Sequence, residues 1–599
     1  MTVFDEGTVL LVDRKSRCGA RLYKSPGTVV RCTELSEANK YLQRLDTLRA
    51  SGAHLAGFFS YEFGWAFEPK LASRPLSSST LPLAWFGAYN PPQELNAQEL
   101  DAWLDAAMDN TRGTALHIKG FDLSRSEYDA AFRATQTHLA QGDIYQINLT
   151  MRAEAMLEGD PISLFRKLLF QQPVDYAALM KIDGYLVLSI SPELFLKREG
   201  QNLTCKPMKG TAARGRTVAE DRKITQWLAN DAKSRAENTM ILDLMRNDLS
   251  RIAKPGSVCV PSLCEVERYR SLFQMTSTTT GQLRDGVGLP RIIQRLFPCG
   301  SITGAPKLRA MEIISDLEAT PRGVYTGSIG SIDPSGDFCF NIAIRTLVVD
   351  EDGKGTLGTG SGVVYDSGAA PEYDECLVKL QVFAEPVEPF TLFETMRWTP
   401  EDGFFLLERH LRRLMESAAY FDFPFDAYNA ESALCTAAEQ WPAKPHRVRL
   451  DLDEQGCISI APTVLAHEDE EQWTVCIAKE PVCAQNRFLF HKTSHRQFYD
   501  QTRAAYQSRW GCREVLFCNE DGFITEGSFT NLFVELDGKL LTPHLHHGLL
   551  PGTFRAGLVD YGYAEEADIT PDMVQHASAV YLGNSLRGLV PVRLLPLQS

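Results

Sequence analysis

The sequence predicts an α+β fold built on large, mainly antiparallel sheets. Period-two alternation of apolar and polar residues, as in DIYQINLTMRAEA (residues 143–155), predicts strands. Helical periodicity lies between such runs, as in DAKSRAENTMILDLMRNDLSRIA (residues 231–253). The prolines and glutamates of VFAEPVEPF interrupt the apolar pattern. We therefore expect two domains, residues 1–385 and 386–599.

Composition limits the classes of partner. The 599 residues carry a formal net charge of −15, which argues against nucleic acid or an anionic membrane as the main partner. No signal peptide and no apolar run of about 20 residues that could span a bilayer are predicted. The 14 cysteines form no CxxC pair, so we expect a cytoplasmic protein with reduced thiols.

The remaining elements follow from the same patterns. The first domain is expected to begin with short strands and loops, followed by two strands over residues 184–207. A helix over residues 303–319 opens near a proline, and strands with glycine turns fill residues 324–364. In the second domain, residues 514–543 predict hairpin strands. Residues 406–421 predict an amphipathic helix whose apolar face holds Leu407, Leu411, Leu414 and Ala418.

Three carboxylates lie at unusual positions on predicted helices. Glu237 falls on an apolar stripe, where a carboxylate is costly unless it is paired or bound to a metal. Lys233 or Arg235 could pair with it. Glu372 and Glu375 share a helix face and suit either the positive end of the helix dipole or a hard cation such as Mg²⁺. The stripe around Glu237 consists of Met240, Ile241, Leu244 and Leu249.

Lys209 lies in the segment CKPMKGTAARG (residues 205–215), whose composition predicts a turn. A lysine in a turn is usually solvated, whereas an unprotonated, desolvated amine is a nucleophile. Lys206, Arg214 and Arg216 are expected to lower its pKa by like-charge repulsion. Gly210 is expected to let the backbone approach a ligand closely.

Six segments in order carry a family resemblance. They are GDIYQINLT, SPELFL, KPMKGTAARG, AENTMILDLMRNDLSRI, GSITGAPKLRAMEII and GTGSGVVYDSGAAPEYDE. Together they resemble the chorismate-utilising enzymes, which include anthranilate synthase, isochorismate synthase and aminodeoxychorismate synthase. The resemblance implies the chorismate-binding fold for the first domain and chorismate as its substrate.

The resemblance also implies roles for single residues. Glu237 and Glu375, supported by Glu372, would bind Mg²⁺ between the protein and the substrate carboxylate. Glu193 matches the general acid/base for the departing hydroxyl, with a simple strand-edge glutamate as the alternative. The other substrate-binding residues that the family implies are Gln146, Thr211, Arg345, Gly360, Gly362 and Lys379.

Two positions indicate a branch of this family. Isochorismate synthases resemble this pattern but carry a lysine base at the position of Gln146, so ammonia rather than water is the expected nucleophile. Anthranilate synthases usually have alanine at the position of Lys209, and lysine there resembles aminodeoxychorismate synthase. Gln274 replaces a histidine that is common in the family, which leaves the roles around it open. No cysteine lies in a glycine-rich elbow, so a separate glutamine amidotransferase subunit or free ammonia is expected.

The second domain carries a lysine, Lys492, after an apolar run. It either extends to solvent or, desolvated at a strand end, forms a Schiff base. Glu526 follows in TEGSFTNLF, and Arg413 projects from the amphipathic helix. Gly552 and Thr553 open another predicted helix, a position suited to a phosphate group.

This set resembles the fold-type IV pyridoxal phosphate enzymes, which include branched-chain and D-amino acid transaminases and aminodeoxychorismate lyase. The resemblance implies an aminotransferase class IV α/β domain in which Lys492 binds pyridoxal 5′-phosphate and Glu526 pairs with its pyridine nitrogen. Arg413 and the region of Gly552 and Thr553 would hold the phosphate. Asn584 and Ser585 are expected to add phosphate contacts. The stretch from Lys492 to Tyr499 resembles the lyase more than the transaminases.

We therefore expect a bifunctional enzyme of folate biosynthesis. It would aminate chorismate at carbon 4 and then eliminate pyruvate to give 4-aminobenzoate, with Mg²⁺ and pyridoxal phosphate as cofactors. One alternative is an anthranilate synthase fused to a transaminase-like domain. Another is a second domain that serves only for dimerisation. A homodimer through the second domain is also among the expectations, although the sequence does not fix the oligomeric state.

Overall fold

The computed structural model describes residues 4–13, 19–76, 81–109, 113–384, 386–465 and 473–595. The chain forms two compact units. The first comprises Met1–Ala213 and Thr225–Glu388, and the second comprises Arg214–Ile224 and Pro389–Ser599. The second unit thus contains a short segment from the middle of the first predicted domain in addition to the C-terminal part of the chain.

Two ten-stranded sheets, in which all neighbours pair antiparallel, dominate the first unit. One has the order β16-β8-β20-β19-β10-β9-β1-β2-β6, with β7 beside β8. The other has the order β13-β15-β12-β11-β18-β17-β4-β5-β3, with β14 beside β15. The strands are β1 Val9–Val12, β2 Ala20–Tyr23, β3 Thr28–Cys32, β4 His54–Phe59, β5 Ala84–Tyr89, β6 Gln93–Leu95, β7 Ala115–Phe121, β8 Gln146–Glu158, β9 Tyr176–Ile182, β10 Tyr185–Ser191, β11 Leu194–Glu199, β12 Asn202–Lys206, β13 Met208–Ala213, β14 Cys259–Arg268, β15 Leu272–Gln282, β16 Gly304–Ala305, β17 Ser328–Ile332, β18 Phe338–Asn341, β19 Thr346–Asp350 and β20 Lys354–Val363.

Helices flank these sheets, and aromatic side chains form part of the core that packs on the second sheet. Phe59 packs with its ring centroid 4.9 Å from that of Phe86 and 5.9 Å from that of Phe297. Burying rings of this size is among the largest apolar contributions a core can make. The helices of this part of the chain are α1 Ala38–Ala50, α2 Pro69–Ala72, α3 Ala97–Ala107, α4 Arg125–Ala140, α5 Pro161–Gln171, α6 Val218–Asn230, α7 Ala232–Ser250, α8 Leu289–Leu296, α9 Lys307–Leu317 and α10 Ala369–Ala384.

The α+β prediction with mainly antiparallel sheets is confirmed, as are the helices α7 and α9. Two details are wrong. The N-terminal region contains the helices α1 and α3 in addition to strands. Residues 184–207 form three strands rather than two, because the chain leaves the first sheet after β10 and enters the second at β11.

The stripe predicted on α7 is also partly wrong. Ile241 and Leu249 are buried, but Met240 and Leu244 are only half-buried, and the buried face is centred on Ile241 and Met245. Glu237 lies at the margin of this face and is half-buried. Its carboxylate is therefore less confined by apolar packing than the periodicity predicted.

The second unit contains an antiparallel sheet and a larger sheet with mixed pairing. A four-stranded sheet has the order β22-β21-β23-β24, and an eight-stranded one has the order β27-β26-β25-β32-β31-β28-β29-β30. In the larger sheet β25 pairs parallel with both β26 and β32. The strands are β21 Leu392–Thr399, β22 Gly403–Phe404, β23 His446–Leu452, β24 Ile458–Val464, β25 Trp473–Ile477, β26 Glu514–Cys518, β27 Ile524–Gly527, β28 Asn531–Leu536, β29 Lys539–Pro543, β30 Glu565–Ala567, β31 Ala579–Asn584 and β32 Gly588–Leu594.

The helices of the second unit include the predicted amphipathic one, α11. Its buried face holds Leu411, Leu414 and Ala418 as expected, while Leu407 is half-buried. The same face also buries polar side chains, a feature that belongs to the site described below. The helices are α11 Leu407–Phe421, α12 Ala427–Ala438, α13 Gln497–Trp510, α14 Thr553–Asp560 and α15 Pro571–His576. Across the described residues of both units, no helix combines the length and apolarity needed to cross a membrane.

Candidate active sites

Lys209 lies in a β-bulge rather than in the predicted turn. Strand β13 pairs with β15, and the register shifts between Met208 and Thr211, so Lys209 and Gly210 fall in the irregular part of the strand. Gly210 has φ +89°, a left-handed conformation that favours glycine. A Cβ at this position would lie 2.8 Å from the Ser234 Cβ. Both the bulge and the packing against α7 therefore require glycine.

Gln274 on β15 holds this bulge in place. Its Nε2 donates to the Gly210 carbonyl at 3.0 Å, and its Oε1 accepts from the Thr211 hydroxyl at 3.1 Å. Asn238 Nδ2 donates to the Lys209 carbonyl at 3.4 Å. In this chain the glutamine at the family's histidine position thus supports the backbone that carries Lys209.

The Lys209 amine and the Gln146 amide converge over Gly362. A Cβ on Gly362 would lie 2.7 Å from Gln146 Nε2 and 3.0 Å from Lys209 Nζ. Gln146 is buried, and its Oε1 has no hydrogen-bond partner among the described residues. Such a polar atom is normally satisfied, so a ligand with a donor group fits beside it. The neighbouring Gly360 accepts a hydrogen bond from Lys379 Nζ through its carbonyl at 2.8 Å.

Burial lowers the pKa of Lys209, and the Lys379 ammonium lowers it further. Three carboxylates, those of Glu193, Glu237 and Glu375, act in the opposite direction. The sequence-based expectation that Lys206, Arg214 and Arg216 lower this pKa is wrong, because each is neutralised by its own carboxylate. The pairs are Lys206–Glu267, Arg214–Asp221 and Arg216–Glu220.

Glu193 lies where the chain passes from β10 in the first sheet to β11 in the second. Its side chain is buried, and its Oε1 accepts a hydrogen bond from the Ser301 hydroxyl at 2.7 Å. Burial raises its pKa to about 7, although the Ser301 bond and the Lys209 charge oppose the shift. A carboxyl with this pKa can deliver a proton near neutral pH.

The three expected metal ligands lie on α7 and α10. Burial raises the pKa of Glu237, and the charges of Glu372 and Glu375 add to the increase. Burial also acts to raise the pKa of Glu375, but its 2.7 Å ion pair with Lys379 outweighs this and the pKa is lowered. Glu372 Oε1 accepts from the Ser367 hydroxyl at 2.7 Å, and Lys233 lies 3.9 Å from Glu237.

Carboxylates from two helices that influence each other's charge have the oxygen chemistry that Mg²⁺ prefers. The carboxylate oxygens of Glu237, Glu372 and Glu375 do not all lie within 4.8 Å of one another. Among the described residues, the group of possible metal ligands that meets this distance is His546, His547 and Asp568. The residues therefore fit the ion by donor type, with substrate oxygens and waters completing the sphere.

The His546–His547–Asp568 group already takes part in a hydrogen-bond network that competes with metal binding. Asn519 is oriented by two backbone N–H groups bound to its Oδ1, so its Nδ2 donates to His547 Nδ1 at 3.3 Å. In the neutral ring the proton is then on Nε2, which donates to Asp568 at 2.7 Å. A metal ion bound at Nε2 would have to displace this proton and break the bond to Asp568.

Arg345 is placed to bind an anion. Its backbone has φ +50°, and its Nη1 donates to Gln172 Oε1 at 2.7 Å. Burial lowers its pKa to about 10, yet the guanidinium stays charged at neutral pH. Among the described residues no carboxylate lies within 4 Å of it. A half-buried cation with no carboxylate at ion-pair distance among the described residues suits the carboxylate that the family resemblance implies.

The second unit contains a cavity of about 790 Å³. It lies between the four-stranded sheet, α11, the start of α13 and the loop before α14. All the expected cofactor residues line it: Arg413, Lys492, Glu526, Gly552, Thr553, Asn584 and Ser585.

Lys492 does not end a strand, which corrects the prediction. The apolar run before it forms a short 3₁₀ turn, Arg487–Phe490, and the following Thr493 makes an isolated bridge with Leu392. The Phe393 N–H donates to the Lys492 carbonyl at 3.0 Å. Burial lowers the pKa of the amine to about 7, with help from Arg413 and Arg496. At neutral pH a large share of this lysine is therefore unprotonated.

Glu526 lies deep in the same cavity. Burial raises its pKa to about 7. Its Oε1 accepts from the Tyr499 hydroxyl at 3.2 Å, and its Oε2 accepts from Asn531 Nδ2 at 3.4 Å. A carboxyl group poised near its pKa is suited to share a proton with a heterocyclic nitrogen.

Arg413 and the start of α14 form the opposite, phosphate-compatible end of the cavity. Arg413 binds Glu394 through two bonds of 2.8 and 2.6 Å and donates to the Pro551 carbonyl at 3.1 Å. A Cβ at Gly552 would lie 1.9 Å from Asn531 Oδ1, so no other residue fits at the helix N-cap. Together the guanidinium and the helix N-terminus fit a phosphate group.

Asn584 and Ser585 line the cavity, but their side chains are engaged in the turn after β31. Asn584 Oδ1 accepts from the N–H groups of Leu586 and Arg587, both at 3.0 Å. The Ser585 hydroxyl donates to the Thr395 carbonyl at 3.2 Å. A phosphate contact from this turn would therefore have to come chiefly from its backbone or from rearranged side chains.

Comparison with known proteins identifies both parts of the chain. Residues 11–385 match the chorismate binding enzyme family, and residues 391–595 match the amino-transferase class IV family. The chain belongs to the chorismate binding enzymes. The family resemblances drawn from the sequence are confirmed for both halves.

Several relatives of this chorismate binding enzyme are similar to the first part alone. Aminodeoxychorismate synthase component 1 of Salmonella typhimurium is 37% identical over 349 residues, which cover 55% of this chain and 76% of that protein. Anthranilate synthase component 1 1 of Haloarcula marismortui is 40% identical over 267 residues, 45% of this chain and 54% of that protein. The solved anthranilate synthase component I from Streptococcus pneumoniae is 24% identical with a TM-score of 0.52, covering 64% of this chain and 91% of that one, and supports the fold.

These sequence identities do not distinguish aminodeoxychorismate synthase from anthranilate synthase. The distinction therefore depends on single residues. Sequence reasoning had singled out Lys209 and Lys492, but it missed several groups that support them. Ser301 binds Glu193, and Glu394 neutralises Arg413. The pKa of the Glu394 carboxyl is lowered to about 2, because Arg413 and His410 outweigh the opposing effect of burial. A glutamate inside the apolar strand TLFETM was the available signal.

Proposed function

We propose that this chorismate binding enzyme converts chorismate to 4-aminobenzoate in two steps. The first unit aminates chorismate at carbon 4, and the second eliminates pyruvate from the product with pyridoxal phosphate as cofactor. The observation that carries the proposal is the Lys209 amine, desolvated beside Gln146 and within the influence of Glu193. Anthranilate synthases, as the resemblance implies, usually lack this amine.

The first step uses Lys209 as a nucleophile and Glu193 as an acid. The neutral Lys209 nitrogen bonds to carbon 2 of the ring, the two ring double bonds shift toward carbon 4, and the carbon 4 hydroxyl leaves as water with the proton of Glu193. Ammonia then bonds to carbon 4, the two double bonds shift back, and the bond between carbon 2 and Lys209 breaks, which releases Lys209 as the neutral amine. The nitrogen added at carbon 4 loses one proton, which restores the acid form of Glu193, so the net change is chorismate plus ammonia to aminodeoxychorismate plus water.

Binding groups around Lys209 support a dicarboxylate substrate. Arg345 provides a half-buried guanidinium, and Gly360 and Gly362 allow close approach of the backbone. Glu237 and Glu375, with Glu372, would hold Mg²⁺. When bound, the ion neutralises the charge of a substrate carboxylate that these glutamates would otherwise repel.

The cavity of the second unit is basic although the chain as a whole is acidic. Seven cationic side chains line it, against the carboxylates of Asp500 and Glu526. The cofactor phosphate and the two carboxylates of aminodeoxychorismate need such an environment. The cationic residues are Arg413, Arg447, Arg449, Lys492, Arg496, Arg503 and Arg587.

Lys492 moves the proton in the second step. Its pKa of about 7 lets the Nζ accept a proton from carbon 4 and retain it near neutral pH. Bound pyridoxal phosphate supplies an electron sink for this proton removal. Glu526 would share the proton of the pyridine nitrogen, and Arg413 with the N-terminus of α14 would hold the phosphate. Loss of the enolpyruvyl group from carbon 3, released as pyruvate, leaves an aromatic ring.

The nitrogen donor is a separate partner in this proposal. The relatives are called component 1 of their synthases, which supports a second component that delivers ammonia from glutamine. A cytoplasmic location, expected from the composition, belongs to the same proposal.

The product of chorismate and ammonia tests the proposal most directly. The full-length protein with Mg²⁺ and pyridoxal phosphate should release 4-aminobenzoate and pyruvate, and the protein stripped of pyridoxal phosphate should accumulate aminodeoxychorismate. Formation of 2-aminobenzoate instead would identify an anthranilate synthase. A second unit that binds no pyridoxal phosphate would contradict the lyase role.

A further inference from the structure

The segment Arg214–Ile224, which follows Lys209 closely in the chain, is part of the second unit. Two consecutive carbonyl groups of this segment accept hydrogen bonds from aromatic side chains. The Tyr420 hydroxyl donates to the Gly215 carbonyl at 2.6 Å, and His491 Nε2 donates to the Arg216 carbonyl at 3.1 Å. The Tyr420 and His491 rings stack with centroids 4.3 Å apart. One stacked pair therefore holds both carbonyls.

Side chains of the segment fix it in the same place. Arg214 is paired with Asp221, donates to the Tyr420 carbonyl at 2.9 Å, and lies 4.3 Å from the centre of the Tyr420 ring. Asp221 accepts the Gly215 N–H at 2.8 Å. Arg216 donates to the Ala484 carbonyl at 3.3 Å. Buried charge-assisted bonds of this kind define a single position for the backbone.

His491 has a fixed proton arrangement between this segment and α11. A carbonyl can only accept, so Nε2 carries the proton that it donates to Arg216, and Nδ1 accepts from the Ser417 hydroxyl at 3.0 Å. Burial lowers the pKa of the ring to about 3, so it is neutral at working pH. Neither hydrogen bond depends on pH near neutrality.

Lys492 is the next residue in the chain. On its other side Thr493 bridges Leu392, and the Phe393 N–H binds the Lys492 carbonyl at 3.0 Å. The peptide that carries the lysine is thus anchored at one end by β21 and at the other by His491. A displaced His491 ring would change the direction in which the Lys492 side chain leaves the backbone.

We propose that Arg214–Ile224 is a structural part of the second active site, and that His491 is a positioning residue through which the Arg216 carbonyl sets the geometry of Lys492. Residues from the middle of the synthase sequence thereby serve the lyase half of the chain. The inference rests on the proposed function for its activity measurement, but not for its spectroscopic one.

The test compares His491 variants of the full-length holoenzyme. His491→Phe keeps the aromatic contact with Tyr420 but leaves the Arg216 carbonyl without its donor and the Ser417 hydroxyl without its acceptor. We expect pyruvate release from supplied aminodeoxychorismate to fall about tenfold or more, which is the effect of an unsatisfied buried acceptor at a positioned group. The pH midpoint at which the visible absorbance of the lysine-bound cofactor titrates should shift. Amination of chorismate should stay at the wild-type rate.

Matched variants separate positioning from general damage. His491→Gln, whose Nε2 can reach the same carbonyl, should recover most of the lyase rate and the wild-type midpoint. Tyr420→Phe removes the Gly215 bond and the hydroxyl contact with Arg487 but keeps His491, and it should have a smaller effect. His576→Phe, the same change at an exposed histidine of the second unit, should have none.

Two results would contradict the inference, and a third would support the positioning role alone. A His491→Phe protein with wild-type turnover and midpoint would overturn it. An equal loss of both activities without rescue by glutamine would also overturn it, because it would indicate damage to the whole chain. If the wild type released no pyruvate but the midpoints differed as expected, the positioning role would stand and the proposed lyase activity would fail.

Discussion

The two lysines that we assign to catalysis have lowered pKa values in different electrostatic surroundings. Around Lys209 the charges that act on its pKa are mainly carboxylates, and burial, with the Lys379 ammonium, outweighs them and lowers the pKa. Around Lys492 the guanidinium groups of Arg413 and Arg496 act together with burial, outweigh the carboxylates of Glu394 and Glu526, and bring its pKa to about 7. The nearby charges therefore mostly oppose the lowering of the pKa at Lys209 and mostly add to it at Lys492.

The difference follows from what each lysine must bind beside it. The proposed site around Lys209 holds a metal ion, so it needs carboxylates, and each of them raises the lysine pKa. The site around Lys492 holds a phosphate and a dicarboxylate, so it needs arginines, which lower it. Changes at the two sites should accordingly differ in size and in their dependence on metal and pH.

Removal of Lys492 should give the largest effect. Lys492→Ala should lower pyruvate release from aminodeoxychorismate by about 10³-fold, which is within the range expected for loss of a general base. With chorismate and ammonia the variant should accumulate aminodeoxychorismate at the wild-type rate. Lys479→Ala, at an exposed lysine of the same unit, is the matched control. Wild-type release of 4-aminobenzoate by the Lys492 variant would remove this lysine from catalysis.

Removal of Lys209 should affect only the first activity. Lys209→Ala should cut formation of aminodeoxychorismate by about 10²-fold, the scale of a group that acts in the transition state. Ammonia attack at carbon 2 should then give some 2-aminobenzoate, and both isomers can be quantified by chromatography. Lys354→Ala, an exposed lysine on β20, should leave both rates unchanged. Unaltered 4-aminobenzoate output, with no covalent adduct on wild-type Lys209 by mass spectrometry, would show that this lysine is only structural.

The carboxylates near Lys209 should matter in a metal-dependent way. Glu237→Gln or Glu375→Gln should reduce amination by about 10–100-fold at limiting Mg²⁺, as expected for lost ligands or their supports. Raising the Mg²⁺ concentration should restore part of the rate, while lyase activity should not respond. Glu351→Gln, at an exposed glutamate of the same unit, is the control. Equal rates for wild type and both variants at every Mg²⁺ concentration would contradict the assignment.

Much of this comparison was predictable from sequence, and the reason is local. Glu237 lies on an apolar stripe that conflicts with its charge, Lys209 lies in a short motif that the family resemblance singles out, and Lys492 lies next to an apolar run. Strand alternation and helix periodicity are also local signals, and they located β8, α7 and α11 correctly.

What the sequence could not provide depends on contacts between distant residues. The bulge at Lys209 exists because β13 pairs with β15, and the cation that helps to lower its pKa is Lys379 rather than a sequence neighbour. The nearby Arg214 and Arg216 are neutralised because the first turn of α6 brings Asp221 and Glu220 next to them. No local sequence pattern indicates that Arg214 and Arg216 belong to the second unit.

The pH dependence of amination should distinguish the two lysine environments further. Glu193 must be protonated to act as an acid, so the rate should fall about tenfold per pH unit above its pKa of about 7. Lys209 must be unprotonated, so the rate should rise with pH on the acid side, and the profile should be bell-shaped. The measurement needs a constant concentration of NH₃ at every pH, since ammonia itself titrates.

Mg²⁺ should move only the acid limb of that profile. Neutralising Glu237 and Glu375 removes two charges that raise the Lys209 pKa, so saturating Mg²⁺ should shift this limb to lower pH. The lyase profile, governed by Lys492 among arginines, should not shift. A flat amination profile between pH 6 and 9, or an Mg²⁺ shift of equal size in both activities, would contradict the contrast between the two sites.

The smallest effect is expected from the support of Lys209. Gln274→Ala removes the donor to the Gly210 carbonyl and the acceptor of the Thr211 hydroxyl, which loosens the bulge without touching the amine. Two lost hydrogen bonds of about 1 kcal/mol each, partly replaced by water, should lower amination about two- to tenfold.

Gln274→His, which restores one ring donor at the position, should lose less amination activity than the alanine variant. Gln282→Ala, at an exposed glutamine of the same strand, is the control. A loss as large as that of Lys209→Ala would mean that Gln274 contacts the reacting atoms itself, whereas no loss would mean that β15 alone maintains the bulge.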